Sequence, residues 1–231
     1  MENYSYVGSE LELFRLARNW KNYYHRIIYS YLGENVLEVG AGIGSTTKIL
    51  CSQNQQKWVC LEPDELMIDM LKSEKNLPQI CEIKHGSLAN ISFDYCFDSI
   101  IYIDVLEHIE DDFAEIKRAT ANLRSGGFLV VLAPAHQWLF SPFDKSVGHF
   151  RRYNRQTIKR LTPPELRLVN LKYIDSVGLI ASASNHFLKQ SIPTLQQVKL
   201  WDTWMIPVSK VFDPILKYKF GKSILAVWKK F

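Results

Sequence analysis

Gly40, Gly42 and Gly44 stand at spacing two after the apolar run Val36-Leu-Glu-Val39, and the carboxylate of Glu38 lies two residues before the first of them. Glycine accepts positive φ and lets a ligand approach with no Cβ in the way. A buried strand that turns into a helix here therefore makes a ligand-binding turn, and two ligand classes compete for it. A dinucleotide site wants G-x-G-x-x-G, with the pyrophosphate on the helix N-terminus, but this frame carries Ser45 in place of the third glycine. Glu38 would repel a pyrophosphate and attract the ammonium of an amino-acid ligand. A second carboxylate, Glu62, ends the apolar run Lys57-Trp-Val-Cys-Leu-Glu62. That is where the second strand of a β-α-β unit should stop, and a carboxylate there accepts the ribose hydroxyls of an adenosine. Pro63-Asp64 opens the next helix, with Asp64 as its cap.

The pattern E-x-G-x-G-x-G resembles the first motif of the class I S-adenosylmethionine-dependent methyltransferases, and the likeness continues to residue 134. Ile80-Cys-Glu-Ile-Lys-His85 reads as a third strand followed by Gly86-Ser87-Leu88, where the family often carries an Asp that meets the adenine. Phe97-Asp-Ser-Ile-Ile-Tyr-Ile103 is a fourth strand, and Asp104-Val-Leu-Glu-His108 after it resembles the fourth motif. Leu123-Arg-Ser-Gly-Gly-Phe-Leu-Val-Val-Leu-Ala-Pro134 gives a helix end, a glycine turn and a fifth strand. The resemblance implies an α/β fold with a Rossmann-like, doubly wound, seven-stranded sheet, mostly parallel with the last strand antiparallel. It implies S-adenosylmethionine as cofactor, held around Glu38, Gly40, Ala41, Gly42, Gly44, Glu62, Pro63, Ser87, Leu88, Asp104, Val105 and His108. The near-continuous apolar strands agree, because strands covered on both faces read that way.

Methyl transfer from a sulfonium is an in-line displacement, so an acceptor must be held against the methyl group with water excluded. In an open parallel sheet such sites lie beyond the carboxyl ends of the strands. The segment after the fifth strand, residues 135–153, is too polar for core and too aromatic for a plain solvated loop. Its run Asp144-x-x-x-Gly148-His149-Phe-Arg151-Arg152-Tyr153 resembles a subgroup associated with polysaccharide, lipid and secondary-metabolite pathways. His149 is the candidate general base, because imidazole titrates near neutral pH; Asp144 would orient it, and His136 is the alternate. Arg151 and Arg152 offer paired donors to an acceptor carboxylate or phosphate, with Tyr153 beside them. The opposing reading is a polar network of Asp144, His149 and an arginine that pins a long loop. No divalent-metal cluster shows in the sequence, so the chemistry reads as metal-independent.

Several elements must position these groups. Residues 9–32 carry Leu11, Phe14, Leu16, Trp20, Tyr23, Tyr24 and Ile27 mostly three or four apart, the spacing of an amphipathic helix. The family uses such a segment to cover the cofactor, which makes Tyr24 a candidate contact. Residues 33–134 form the cofactor-binding core. Asn154 caps a helix through Leu161, residues 165–176 read as a sixth strand, and Ser223-Ile-Leu-Ala-Val-Trp228 as its hairpin partner. Residues 177–221 between them form an insertion too long for a bare loop; it is read as a lid first, a dimer face second and a membrane-surface patch third.

At 231 residues and 47% hydrophobic, the chain makes one large domain. No apolar run reaches the roughly 18 residues of a membrane span. The first residues lack the basic and apolar regions of a signal peptide, and the four cysteines show no C-x-x-C pairing, so a reducing, cytoplasmic setting is expected. Charge is divided unevenly. Residues 1–150 hold 13 Lys or Arg against 20 Asp or Glu, and residues 151–231 hold 15 against 4, which points to an anionic partner or to mutual neutralisation of the halves. The leading function is methyl transfer to a small-molecule or lipid-linked acceptor, most simply an oxygen, by a monomer or homodimer. A nucleic-acid methyltransferase is disfavoured because Asp104-Val-Leu-Glu107 stands where base-amino methylases often carry N/D-P-P-Y/F. A non-catalytic cofactor-binding subunit and an NAD-dependent reductase complete the alternatives.

Overall fold

The computed structural model describes residues 10–187 and 193–231. Residue 9 of the expected cover helix, the start of the chain and residues 188–192 of the insertion lie outside these ranges. A seven-stranded sheet orders its strands β3-β2-β1-β4-β5-β7-β6. They are β1 (Asn35–Val39), β2 (Lys57–Glu62), β3 (Cys81–His85), β4 (Phe97–Ile103), β5 (Leu123–Pro134), β6 (Leu166–Ile174) and β7 (Ser223–Lys230). The pairings among β1 to β5 are parallel, and β7 runs antiparallel between β5 and β6. The central strands are buried almost throughout, whereas edge strand β3 is half-buried. This follows from helices on both faces: each strand supplies side chains to two cores. One core holds Leu37, Ile100, Leu129 and Trp228, and the other holds Trp58, Ile101, Val130 and Ile174.

The helices are α1 (Glu10–Arg15), α2 (Arg18–Ile28), α3 (Thr47–Leu50), α4 (Glu65–Ser73), α5 (Asp112–Asn122), α6 (Pro142–Ser146), α7 (Arg155–Arg160), α8 (Ser176–Phe187), α9 (Leu195–Leu200) and α10 (Ile206–Ile215). Asp64 caps α4 by accepting from the Met67 amide, and Asn154 caps α7 through the Gln156 and Thr157 amides, both as the sequence suggests. The N-terminal segment corrects an expectation. Instead of one helix over 9–32 there are two, broken at Leu16-Ala17, where Asp202 accepts the amides of Asn19 and Trp20. An acid from the insertion thus takes the orphan donors at the start of α2 and sets its angle.

The insertion is helical in its described residues. A π-helical turn, Trp201–Met205, joins α9 to α10. Pro207 follows it; a proline has no N–H to give the preceding turn and crowds its carbonyls, so the helix widens just before it. Asp213, fully buried, accepts from Tyr23 Oη at 2.6 Å, the Asp175 amide at 2.7 Å and the Ser176 amide at 2.9 Å. That one carboxylate ties α10, α2 and the end of β6 together.

Candidate functional site

The glycine turn is pinned from below. Leu61 O accepts the amides of Gly40 and Ala41, and Glu62 Oε2 accepts the Gly42 amide at 2.8 Å. Gly40, Gly42 and Gly44 all have positive φ. A Cβ on Gly40 would lie 2.6 Å from Val105 Cγ2, and one on Gly44 would lie 2.6 Å from Leu71 Cδ1, so these two are required by packing. A Cβ on Gly42 would meet nothing nearer than Leu11 Cδ1 at 3.7 Å; its open side faces a cavity. That cavity, about 870 Å³, runs from Gly40, Ala41 and Gly42 past Asp104 and His108 to His149 and Arg152, and Tyr24 and Trp201 cover it. Ligand sites span roughly 300–1,000 Å³, so the volume suits a cofactor and an acceptor side by side. The open cradle at Gly42, with the Glu62 carboxylate beneath it, fits an adenosine-bearing group.

Both ends of the cavity carry unusual electrostatics. Asp104 follows β4 with φ of 54° and lines the cavity; desolvation by the surrounding walls pushes its carboxyl up to about 6 against the pull of His149, Lys222 and Lys21. Glu107 is fully buried, and neither carboxylate oxygen has a hydrogen-bond partner. Burial, reinforced by the Asp104 charge, holds it well above the usual carboxylate range. Burial and the neighbouring His149 lower His108 to about 4. Burial also lowers Lys21 to about 8, opposed by Asp202 and Asp104.

His149 is held firmly. Its Nδ1 meets Asp144 Oδ1 at 2.8 Å, and its Nε2 faces Glu107 Oε1 at 3.9 Å. Asp144 is buried, which would raise its carboxyl, yet hydrogen bonds with His149 and Arg152 hold it well below the usual range. Arg152 donates to both Asp144 oxygens, Nε at 2.7 Å and Nη2 at 2.9 Å, and Ser141 donates its amide and hydroxyl to Oδ2. The loop-pinning network and the oriented imidazole are therefore one structure. Glu107, His108 and His149 bring ligand-capable atoms within 4.8 Å of one another, a grouping no sequence spacing announces.

Other sequence candidates lie elsewhere. Glu38 is buried away from the cavity wall, where its Oε2 accepts from Thr47 Oγ1 at 2.7 Å and Trp58 Nε1 at 2.8 Å. Burial raises it to about 7. It bridges β1, α3 and β2, and supports the turn without reaching past it. The His136 ring bonds the Gly221 carbonyl and stacks on Tyr173, 4.7 Å between centroids. Arg151 pairs with Asp112 and donates to the carbonyls of Ile109 and Glu110. Tyr153 is buried, with its hydroxyl on Leu106 O and Asp112. These three brace the loop and do not line the cavity. Gly44, Glu62, Pro63, Ser87, Leu88 and Val105 are also absent from its lining, though Glu62 and Val105 pack under the glycine turn; the Ser87 amide is bonded to Asn90 Oδ1.

The methyltransferase domain family matches residues 37–131, which hold the glycine turn, Glu62 and the Asp104–His108 stretch. A probable S-adenosylmethionine-dependent methyltransferase of Mycolicibacterium smegmatis is 28% identical over 120 residues, covering 52% of this chain and 45% of that protein. Norajmaline N-methyltransferase of Rauvolfia serpentina is 27% identical over 204 residues, covering 86% of this chain and 62% of that protein. This chain thus spans less than two thirds of either relative's length. The structure of coclaurine N-methyltransferase bound to N-methylheliamine and S-adenosylhomocysteine aligns with a TM-score of 0.63 at 14% identity, over 92% of this chain and 72% of that one.

Residues 37–131 match the methyltransferase domain family, and the fold is the Rossmann-like one of the compared methyltransferase. The cavity is lined both by the matched segment, through Gly40 to Gly42, Asp104, Glu107 and His108, and by residues outside it, among them Lys21, His149, Arg152 and Trp201. Sequence reasoning missed several of its lining residues, Lys21, Thr46, Glu107 and Lys222, and reached Trp201 and Met205 only as part of the lid-like insertion. Glu107 lies inside the Asp104–His108 motif, immediately before His108, and that position was the available signal. Trp201, in the insertion, and Lys222, just after it, reach the cavity only through long-range packing.

Proposed function

We propose that this chain transfers a methyl group from S-adenosylmethionine to a small-molecule or lipid-linked acceptor, with an oxygen nucleophile as the first reading. The observation that supports it most is that the Gly42 cradle and the pair His149 and Glu107, with Asp144 behind the imidazole, open onto one cavity. When bound, the cofactor supplies an electrophilic methyl on a sulfonium. Glu62, braced by the Gly42 and Asp64 amides, is placed to accept the ribose hydroxyls. Asp104, at the end of β4, faces the methionine end together with Gly40 and Tyr24. Asp144 fixes the His149 tautomer so that Nε2 points at the acceptor side and takes up the acceptor's proton as the new bond forms. Trp20, Tyr24 and Trp201 pack edge-on and tilted over the cavity and exclude water.

The test is transfer of labelled methyl from S-adenosylmethionine to a panel of hydroxylated and amine acceptors, together with calorimetric binding of S-adenosylhomocysteine. Binding with no transfer to any acceptor would favour a non-catalytic subunit, and absent binding would remove the reading. A second reading has a specific support: the carboxylate of Asp104 at the cavity wall and the buried carboxylate of Glu107 suit a cationic amine acceptor, and two of the compared proteins are named N-methyltransferases. Preference for amines in the panel would select it. Turnover is expected to survive a chelator; its loss would reassign the Glu107–His108–His149 trio to a bound cation.

A further inference from the structure

The continuous helical run from α9 through the π turn to α10 carries two apolar faces where one would serve the fold. The inner face buries Val198, Trp201 and Ile206. On the outside stand Leu200, Trp204, Val208, Val211 and Ile215, three or four residues apart, with relative exposures of 51, 69, 43, 60 and 68%, and Phe212 lies beside them at 48%. That spacing stacks side chains on one side of a helix. Six large apolar groups in one exposed stripe form a patch of the kind that marks an interaction site.

Charge selects the occupant. Residues 151–231 contain 15 Lys or Arg and four acids. Three of those acids, Asp175, Asp202 and Asp213, are buried in the fold's own networks. The fourth, Glu165, is at the amino end of β6, the opposite edge of the sheet from the cavity. The outer surface of this half is therefore basic, and Lys199, Lys217 and Lys219 are exposed at the two ends of the stripe. Two such faces would repel each other, which argues against a second copy of this chain. An apolar stripe with a tryptophan, bounded by lysines whose stems can lie along the interface while their ammonium groups stay in water, matches an anionic lipid surface.

We propose that this outer face rests on an anionic bilayer and that the cavity takes its acceptor from there. The second half of the proposal rests on the methyl-transfer reading; the first does not. The same helical run connects the two, since Trp201 and Met205 line the cavity while Trp204, Val211 and Ile215 are exposed on its outside, and Leu200 borders both. An amphiphilic acceptor with its chain in the bilayer would present its polar end to His149.

The experiment is co-sedimentation of the full chain with vesicles of phosphatidylcholine alone and of phosphatidylcholine mixed with phosphatidylglycerol. Binding to the anionic vesicles is expected, weakening with salt. The variant Trp204→Glu/Val211→Glu/Ile215→Glu should bind at least about tenfold more weakly, with S-adenosylhomocysteine affinity unchanged because none of the three lines the cavity. Failure of the wild type to bind anionic vesicles, or equal binding by the variant, would overturn the proposal. So would a wild-type dimer in sedimentation velocity that the variant abolishes without any vesicle binding. Loss of S-adenosylhomocysteine binding by the wild type would instead strike the methyl-transfer reading and leave the vesicle result standing.

Discussion

At the residue scale, Asp144 carries two tasks on one carboxylate. It fixes the His149 ring and takes both donors of Arg152, all at low exposure. Replacing it by Asn leaves a buried guanidinium without its counter-charge, and such losses cost about 3–5 kcal/mol. Asp144→Asn should therefore shift the urea midpoint as well as lower turnover, which separates it from the ring it orients. His149→Ala is expected to keep S-adenosylhomocysteine affinity and to lower turnover at least about a hundredfold, in the range of a lost general base. Near-normal turnover in that variant would leave the network a purely structural role. Glu62→Ala removes the acceptor of the Gly42 and Asp64 amides; affinity for S-adenosylhomocysteine should drop about tenfold or more, read by calorimetry, as expected when charge-assisted hydrogen bonds are lost.

At the scale of elements, the cover over the cavity is assembled by acids of the insertion. Asp202 fixes the start of α2, and Asp213 gathers Tyr23 and the two amides after β6. Burying three donors without their acceptor is costly, so Asp213→Ala should destabilise the fold by about 3 kcal/mol and loosen α2 over the cavity. Hydrogen exchange that quickens in α2 and α10 while β1 and β4 stay protected would show this; uniform exchange across the molecule would contradict it. These helices were legible in part. The aromatic spacing over residues 11–27 gave the buried face, and Trp20, Tyr23 and Tyr24 are indeed buried. The break at Leu16-Ala17 was not legible, because its cause is an aspartate 182 residues away along the chain.

At the scale of the whole molecule, buried ionisable groups give stability a composite pH profile. His108, held down to about 4, resists the proton that an unfolded-chain imidazole takes up near 6.5. The folded state then binds fewer protons in that window, so this contribution is complete above about pH 6.5 and is lost as pH falls toward 4. Glu38 and Asp104, raised to about 7 and about 6, act in the opposite sense and remove stability as pH rises through those values. His108→Gln should flatten only the first component. Urea midpoints of wild type and variant between pH 7 and 4 should converge on acidification; a constant gap would refute the assignment. Among the described residues no helix is long and apolar enough to cross a membrane, so contact with lipid would run along the surface of the insertion.

The sequence by itself determined the sheet and the glycine turn. Apolar runs at 36–39, 57–62 and 97–103, three glycines and an acid at each strand end encode local backbone geometry, and local geometry is what residue spacing can report. It also placed Asp144, His149 and Arg152 in one loop. Only the tertiary structure decided which residues share a cavity. Glu38, His136, Arg151 and Tyr153 have the right chemistry, but their polar atoms are taken up by partners elsewhere in the fold. Glu107, Lys21 and Trp201 are drawn to the acceptor side by packing between distant segments. A functional group acts where its unsatisfied atoms point, and that direction is fixed by long-range contacts the linear order does not contain.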